Sequence, residues 1–347
     1  MLMRRALDAV SIEAVHYRKV TERSRMSSLS NATGLCPAVP QSAAARPDVL
    51  SPAALEKFAD SGFVTIQQLC GAQDLAEMRT ILLTLFERQV GRDEGSQFDM
   101  LGLDDDASAP RQPQIIKPSV FAPELLRTKY FENLFRAARQ LLGPDAQLSF
   151  DHSILKPAQS AVATPWHQDE AHHNHKYLRY LQVSFWMPLQ ATPMEAGCMR
   201  YIPGSHRGEL LPHHKLNDDP RVHAVECRAE YVDESLAVAV PVGAGSCIAH
   251  DGRTVHSALP NVSTEDRYAF TVAFTAPPFL ARQTRADRFV SKDTANIRRR
   301  TRWLRRGGFL VYGMRRLRQG WRSSPRAFWL KLRLLVRVAG LRAFIGR

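Results

Sequence analysis

Residues 164–170 read TPWHQDE and place a histidine and a carboxylate, His167 and Asp169, two positions apart. In a β-strand, residues i and i+2 point to the same face, so this spacing presents an imidazole and a carboxylate together. Downstream, the segment HDGRTVH offers a third ligand from either His250 or His256. Two histidines and one carboxylate are the ligand set of non-haem Fe(II) sites that keep coordination positions open. In an isolated HxD pair, the two side chains more often form a hydrogen bond at a strand end than bind a metal ion. The surrounding sequence is therefore needed to distinguish the two interpretations.

That context is an ordered series of motifs along the chain. FADSGFVTI occupies residues 58–66, PGSH follows the HxD motif at 203–206, and HSALPN begins at His256. Arg267 comes eleven residues after His256. Over roughly residues 50–280, this series resembles the phytanoyl-CoA dioxygenase family of Fe(II)/2-oxoglutarate oxygenases. The family pattern is an HxD pair, a distal histidine and an arginine about eleven residues later.

The resemblance implies a fold and a set of metal ligands. The family fold is a double-stranded β-helix. Carried over residue by residue, His167, Asp169 and His256 would hold Fe(II), with two neutral imidazole nitrogens and one anionic oxygen. His250 is then a strand-end residue or a partner of a ligand. Glu170 is turned to the opposite face from Asp169 by strand alternation.

The resemblance also implies 2-oxoglutarate as cosubstrate. Its carboxylate farthest from the metal needs a cation, and a guanidinium suits it because the fork binds both oxygens. Arg267 matches that position in the family pattern. Ser257, next to the distal histidine, and Lys156, on the strand before the HxD motif, are further candidates for cosubstrate contacts.

A histidine-rich loop comes directly after the HxD motif. It contains His172, His173 and His175. Such a loop is either solvated or in contact with substrate at the mouth of the cavity. The two tryptophans of this region, Trp166 and Trp186, are predicted to belong to the barrel core.

The hydrophobic patterning supports a mainly β fold. The chain has 347 residues, of which 44% are hydrophobic, enough to bury a full core. Alternating apolar residues and Pro/Gly turns indicate many short strands, which is typical of a barrel or jelly roll. Strands are predicted at 63–66, 147–156, 180–189, 198–202, 237–242, 246–250 and 268–274. Helices are predicted at 51–62, 74–90 and 124–142, with a loop at 92–118.

These patterns divide the chain into three parts. Residues 1–48 form a mobile leader. Residues 49–280 form the phytanoyl-CoA dioxygenase-like domain, a double-stranded β-helix (jelly roll, cupin-like) with N-terminal helices packed against it. Residues 281–347 form a basic, Arg-rich helical extension. Because every proposed site residue precedes position 268, the extension is expected to be separable from the site.

The net charge of +13 comes from the extension. Residues 281–347 hold 20 Lys and Arg but only 2 Asp and Glu, whereas the remaining residues hold 27 basic and 32 acidic side chains. An anionic membrane surface and an acidic partner are the candidates for residues 291–347. Nucleic acid is disfavoured because no recognised binding module accompanies the charge. Five scattered cysteines without a CxxC pair and no apolar run of about 18 residues predict a cytoplasmic protein, peripheral at a membrane if the extension binds one.

The sequence therefore predicts an Fe(II)- and 2-oxoglutarate-dependent dioxygenase. Its reaction would use O2 to hydroxylate an unactivated C–H bond of a small-molecule or lipid-like substrate, with release of succinate and CO2. One alternative is a non-catalytic barrel that serves as a binding or scaffold protein. The other is a related oxygenase that desaturates or halogenates. Asp169 argues against halogenation, because halogenating relatives replace that carboxylate with a small residue.

Overall fold

A computed structural model describes residues 48–103, 111–172, 178–280, 294–323 and 329. Some of the sequence predictions lie outside these residues. They are the mobile leader apart from Asp48, residues 104–110 of the predicted loop, the histidines at 173 and 175, and residues 281–293 and most of those beyond 323 in the extension.

Three helices cover one side of the molecule, α1 (Pro52–Ser61), α2 (Ala72–Glu87) and α3 (Lys129–Leu142). Local hydrogen bonds fix where two of them begin. The side chain of Ser51 accepts a hydrogen bond from the amide of Ala54, and that of Thr128 accepts one from Phe131. These caps satisfy amides that a helix start leaves without a partner. α1 ends at Gly62, whose positive φ of 82° suits a residue without a Cβ.

Two larger sheets and two small ones make up the rest of the body. The strands are β1 (Phe63–Ile66), β2 (Gln97–Asp99), β3 (Pro113–Ile116), β4 (Gln147–Lys156), β5 (Thr164–His167), β6 (Leu178–Arg179), β7 (Gln182–Pro188), β8 (Met199–Tyr201), β9 (His213–Lys215), β10 (Val225–Cys227), β11 (Val238–Val240), β12 (Cys247–Asp251), β13 (His256–Ala258), β14 (Arg267–Thr275) and β15 (Phe279–Leu280). The seven-stranded sheet has the order β1-β12-β7-β14-β4-β3-β2, and the four-stranded sheet has the order β11-β8-β13-β5. β9 pairs with β10, and β6 pairs with β15.

Strand alternation gives each face of the seven-stranded sheet its own core. On β7, Val183, Phe185 and Met187 face the helices and join the core that α1, α2 and α3 bury. Trp186 lies on the opposite face, in a second core that includes Met199 and Tyr201 of the four-stranded sheet. Two antiparallel sheets packed face to face around a shared core form the double-stranded β-helix, so the predicted fold is confirmed.

The described part of the C-terminal extension forms two helices, α4 (Ala295–Arg305) and α5 (Gly308–Ser323). α4 is packed on the body, because Asn296 and Leu304 are buried and a Cβ at Gly95 would collide with the carbonyl oxygen of Asn296. Among the described residues, no helix combines the length and the apolar character needed to cross a bilayer.

Gly62 joins α1 to β1 at a point without room for a side chain. A Cβ there would lie 2.5 Å from His206 Nδ1 and 2.5 Å from Thr254 Oγ1. We expect Gly62→Ala to lower the free energy of unfolding by about 2 kcal/mol or more, through backbone strain and overpacking. Gly243→Ala is the matched control, because no heavy atom lies within 4 Å of its Cβ position. Urea denaturation measures both, and equal stability of the two variants would contradict the assigned backbone conformation.

Candidate functional site

Three side chains converge at one end of the four-stranded sheet. His167, at the end of β5, is paired directly with His256, at the start of β13, and their ring centroids lie 4.2 Å apart. Asp169 Oδ1 lies 3.9 Å from His167 Nε2 and 3.7 Å from His256 Nε2. Each residue has one potential ligand atom that lies within 4.8 Å of the ligand atoms of the other two. In the described part of the chain, no other group of His, Cys, Asp or Glu residues meets this criterion.

Backbone carbonyls fix which nitrogen of each imidazole faces this cluster. His167 Nδ1 lies 2.9 Å from the carbonyl oxygen of Pro165, and His256 Nδ1 lies 2.8 Å from that of Thr254. Because a carbonyl oxygen can only accept, each Nδ1 carries the proton and donates it. Each Nε2 therefore keeps a lone pair that faces the carboxylate, which is the form of histidine that binds a metal ion.

The second oxygen of Asp169 is occupied by neighbours from the seven-stranded sheet. Ser184 donates its hydroxyl hydrogen to Oδ2 at 2.5 Å, and His250 Nε2 lies 3.3 Å from the same atom. The Tyr201 hydroxyl lies 3.2 Å from His250 Nδ1. With Nε2 donating to the carboxylate, His250 Nδ1 accepts from Tyr201. His250 thus orients Asp169, and Oδ1 remains directed at the two imidazoles.

Burial and mutual charge set the protonation states of the cluster. Burial lowers the pKa of both His167 and His256, so both imidazoles are neutral at physiological pH. Burial raises the pKa of Asp169, but the hydrogen bond from His250 and the electrostatic interaction with the neighbouring histidines outweigh this effect, so the net pKa lies well below its ordinary value. One carboxylate and two neutral imidazoles are the combination that a divalent metal ion requires.

Asp169 reaches the cluster from a turn, which corrects the expectation that strand alternation presents it. β5 ends at residue 167, and Asp169 opens a 3-10 turn over Asp169–His172. Gln168 holds this turn, because its fully buried side chain donates to the carbonyl oxygen of Arg253 and accepts from the amide of Leu211, each at 2.7 Å. Glu170 points away from the cluster and pairs with Arg253.

Arg267 provides a buried cation without an acidic partner. It is 1% exposed, and within the described residues its Nε and Nη1 atoms have no hydrogen-bond partner. Its guanidinium lies 5.3 Å from the ring centroid of Trp186, whose backbone is paired with Thr271. The side chain therefore extends along β14 in the direction of Ala273, which pairs with Ser184 beside Asp169.

Two more polar atoms near this guanidinium also lack partners among the described residues, Trp186 Nε1 and Thr271 Oγ1. Burial lowers the pKa of Arg267 to about 10, which still leaves it protonated at physiological pH. A buried cation costs free energy unless an anion accompanies it. The donors of Arg267, Trp186 and Thr271 are therefore suited to an anionic ligand that lies between Arg267 and the histidine–aspartate cluster.

Lys156 is paired across the sheet with Arg267, but its ammonium group is already bound. Nζ donates to the carbonyl oxygens of Leu259 at 2.7 Å and Val162 at 3.3 Å. Burial, with the charge of Arg267 beside it, holds the pKa of Lys156 well below its ordinary value. These two hydrogen bonds connect Lys156 to the backbone at Val162 and Leu259, which is a structural arrangement.

Ser257 lies on the outer face of the four-stranded sheet. It follows His256 on β13, so strand alternation turns its side chain away from the cluster. Its hydroxyl accepts a hydrogen bond from Arg200 Nε at 3.1 Å, and Arg200 lies over the ring of Trp166. The structure therefore does not bring Ser257 together with Arg267 or with the histidines.

The C-terminal extension reaches the rim of the site. The ring of His172 lies 6.5 Å from that of His167 and is stacked on His223 at 6.4 Å. Asn296, in α4, has Nδ2 3.4 Å from His223 Nδ1. α4 is therefore packed on the body beside this rim, and the expectation that the extension is separable from the site stays a prediction. Its charge pattern did not reveal that buried side chains such as Leu304 fix α4 to the body.

Several residues that build the site were missed in the sequence. Ser184 and Trp186 lie on β7 opposite its apolar face, so reading both faces of that strand would have found them. Gln168 and Tyr201 carry no local signal, because their partners at Leu211 and His250 are distant in sequence.

Comparison with known proteins identifies relatives of this chain. A family model described as phytanoyl-CoA dioxygenase (PhyH) matches residues 58–269. The probable alpha-ketoglutarate-dependent hypophosphite dioxygenase of Stutzerimonas stutzeri is 21% identical over 222 residues, 63% of this chain and 77% of that protein. The peroxisomal phytanoyl-CoA dioxygenase of Rattus norvegicus is 24% identical over 200 residues, 51% of this chain and 59% of that protein.

Solved structures include a similar fold with a bound cosubstrate. The crystal structure of EvdO2 from Micromonospora carbonacea var. aurantiaca, complexed with 2-oxoglutarate, has a TM-score of 0.59. Its sequence is 31% identical to this chain, and the match covers 70% of this chain and 97% of that one.

The contact between Gly95 and α4 gives a direct test of how firmly the extension is attached. Gly95 has a φ of 72°, and an added Cβ would lie 3.0 Å from the backbone nitrogen of Arg300. We expect Gly95→Ala to cost about 3 kcal/mol in the full chain, from strain and collision, but only about 1–2 kcal/mol in a chain that ends at residue 293. Chemical denaturation of the four proteins completes a double-mutant cycle. Equal costs in both backgrounds would refute the packing of α4 on this loop.

Proposed function

We propose that this chain, which belongs to the phytanoyl-CoA dioxygenase family and is an Fe(II)- and 2-oxoglutarate-dependent oxygenase, hydroxylates an unactivated C–H bond of a small molecule. The cluster of His167, Asp169 and His256 carries this proposal. When bound, iron and 2-oxoglutarate supply the oxidation of the substrate C–H bond by O2, with release of succinate and CO2.

In this proposal, three residues hold the metal ion. His167 and His256 would donate through Nε2, since each Nδ1 is engaged with a backbone carbonyl. Asp169 would donate through Oδ1, since Ser184 and His250 occupy Oδ2. A triad of this kind occupies one face of the ion and leaves the remaining positions to cosubstrate and O2.

Arg267 is the proposed anchor for the far carboxylate of 2-oxoglutarate. It offers Nε and Nη1, which have no hydrogen-bond partner among the described residues, in a buried position. A guanidinium fork matches a carboxylate with two parallel hydrogen bonds. The Thr271 hydroxyl and Trp186 Nε1 are further donors along the same wall. Lys156 and Ser257 stay as the weaker proposals, since both already have partners.

The alternatives from the sequence have less support. Asp169 is held in place by hydrogen bonds from Ser184, His250 and Gln182, so a halide has no vacant carboxylate position to take. A binding or scaffold barrel has no need of a buried arginine without a counter-ion, because such a group lowers stability unless a ligand satisfies it.

The partner of residues 291–347 is proposed to be an anionic surface. This segment holds 17 Lys and Arg but a single acidic residue, Asp293. From residue 308 to the end there are ten basic side chains and no acidic one. Such a segment is attracted to any surface of opposite charge, with an energy that falls as salt rises.

The reaction is tested by succinate formation from 2-oxoglutarate with Fe(II) and O2, while candidate substrates are screened. His256→Ala should lower succinate formation at least about 100-fold and weaken Mn(II) binding, because one of three ligands is lost. Ser235→Ala, at an exposed position between β10 and β11, should change neither by more than about twofold. Metal binding without succinate formation in the wild-type protein across the screen would favour the binding barrel.

The anchor is tested by equilibrium binding of 2-oxoglutarate in the presence of Mn(II). Arg267→Met should raise the Kd for 2-oxoglutarate roughly tenfold to a hundredfold, the cost of a lost charge-assisted bond, and leave Mn(II) affinity unchanged. Arg200→Met is the control, since Arg200 lies on the outer face of the four-stranded sheet. An unchanged Kd in Arg267→Met would move the anchor to Lys156.

A further inference from the structure

Helix α5 exposes large apolar side chains to solvent. Phe309 is 88% exposed, Leu310 82%, Met314 53% and Leu317 55%. Leu310, Met314 and Leu317 follow one another at spacings of four and three, so they form one stripe along the helix. These three residues are named the α5 stripe, and Phe309 lies beside it. Trp321, 48% exposed, continues it by another turn.

The stripe differs from α1, α2 and α3, where the large apolar side chains are buried or partly buried. Phe58, Met78 and Leu134, from α1, α2 and α3, are each at most 1% exposed. Even α4, the other helix of the extension, buries Leu304. A continuous exposed row of this size is a recognised mark of a contact surface.

Positive charge surrounds the stripe. Arg316 and Arg318 are exposed on the same helix. No Asp or Glu occurs from residue 308 to the C-terminus, so no acidic side chain of this segment opposes them. The surface that α5 contacts must therefore accept apolar side chains and cations together.

We infer that α5 docks on the surface of an anionic lipid bilayer, with the α5 stripe inserted among the acyl chains and the arginines bound to headgroup phosphates. An interfacial helix buries its apolar face about 5–10 Å deep, while basic residues add attraction to anionic lipid. Nucleic acid would use the arginines but leave the stripe exposed to water. The inference narrows the anionic-surface proposal above to lipid and is independent of the oxygenase reaction.

The experiment is co-sedimentation of the full chain with vesicles. One set contains phosphatidylcholine with phosphatidylglycerol, the other phosphatidylcholine alone, each at low and high salt. We expect binding to the anionic set only, and weaker binding at high salt. Leu310→Ser/Met314→Ser/Leu317→Ser should lower this binding at least about tenfold. Arg316→Gln/Arg318→Gln should lower it roughly fivefold per arginine and reduce the salt dependence.

A matched control replaces exposed apolar residues of the body, Leu236→Ser/Val262→Ser, which are 57% and 58% exposed. It should bind like the wild-type protein, and circular dichroism should show that all variants are folded. If the wild-type protein does not bind anionic vesicles, both the lipid inference and its anionic-surface premise lose support. If it binds but the triple serine variant binds equally well, insertion is refuted and only the anionic-surface proposal survives.

Two other partners of the α5 stripe, nucleic acid and a second copy of the chain, would each give a different result. If single-stranded RNA displaces the vesicles and binds the triple serine variant as well as the wild-type protein, the surface is for nucleic acid and the inference fails. If the wild-type protein is a dimer that the triple serine variant converts to a monomer, a second copy covers the stripe and the inference fails equally.

Discussion

The site depends on one ionised carboxylate that is largely removed from water. Placing Asp169 there is unfavourable unless donors satisfy it, and the seven-stranded sheet provides them. Ser184 on β7 and His250 on β12 donate to Oδ2, while Oδ1 faces the Nε2 lone pairs of His167 and His256 on the four-stranded sheet. Neither sheet alone contains this set. The two sheets must therefore pack at the observed register before the carboxylate can be accommodated, which ties the geometry of the site to the core between them.

A second buried charge lies at the other end of the same cavity wall. From Arg267 to Ala273, the residue paired with Ser184, β14 covers about 20 Å at roughly 3.3 Å per residue. The arginine side chain extends into that interval, over Trp186. Among the described residues, no ion pair joins this guanidinium to the carboxylate of Asp169. A dicarboxylate with one carboxylate at the metal ion and the other at the guanidinium would neutralise both sites. This is the reason to propose a cosubstrate between them and not a structural ion pair.

The sequence predicted the long elements better than the short ones. β4 has the predicted bounds and β14 extends the prediction by one residue at each end, because alternation over many residues is a strong signal. The four-residue β1 also has the predicted bounds, because the glycine that ends α1 marks its start. β2 and β3 lie in the segment predicted to be a loop, since strands of three or four residues depend on partners distant in the chain. The helix predicted at 124–142 is divided at Thr128, where the hydroxyl caps α3. The cluster of His167, Asp169 and His256 was predictable from spacing and resemblance, whereas Gln168 was not, because its partners belong to distant loops.

The extension shows why charge alone cannot assign a role to a helix. α4 and α5 are both rich in arginine, and composition treats them as one segment. The two helices differ in how far their arginines are buried. Arg300 of α4 lies against the body, and its burial lowers its pKa, whereas Arg316 and Arg318 of α5 are exposed beside apolar side chains. A cation held against the body contributes to packing, while an exposed one next to apolar surface is accessible from solvent. One basic segment therefore contains two helices in different physical environments, which its composition alone does not distinguish.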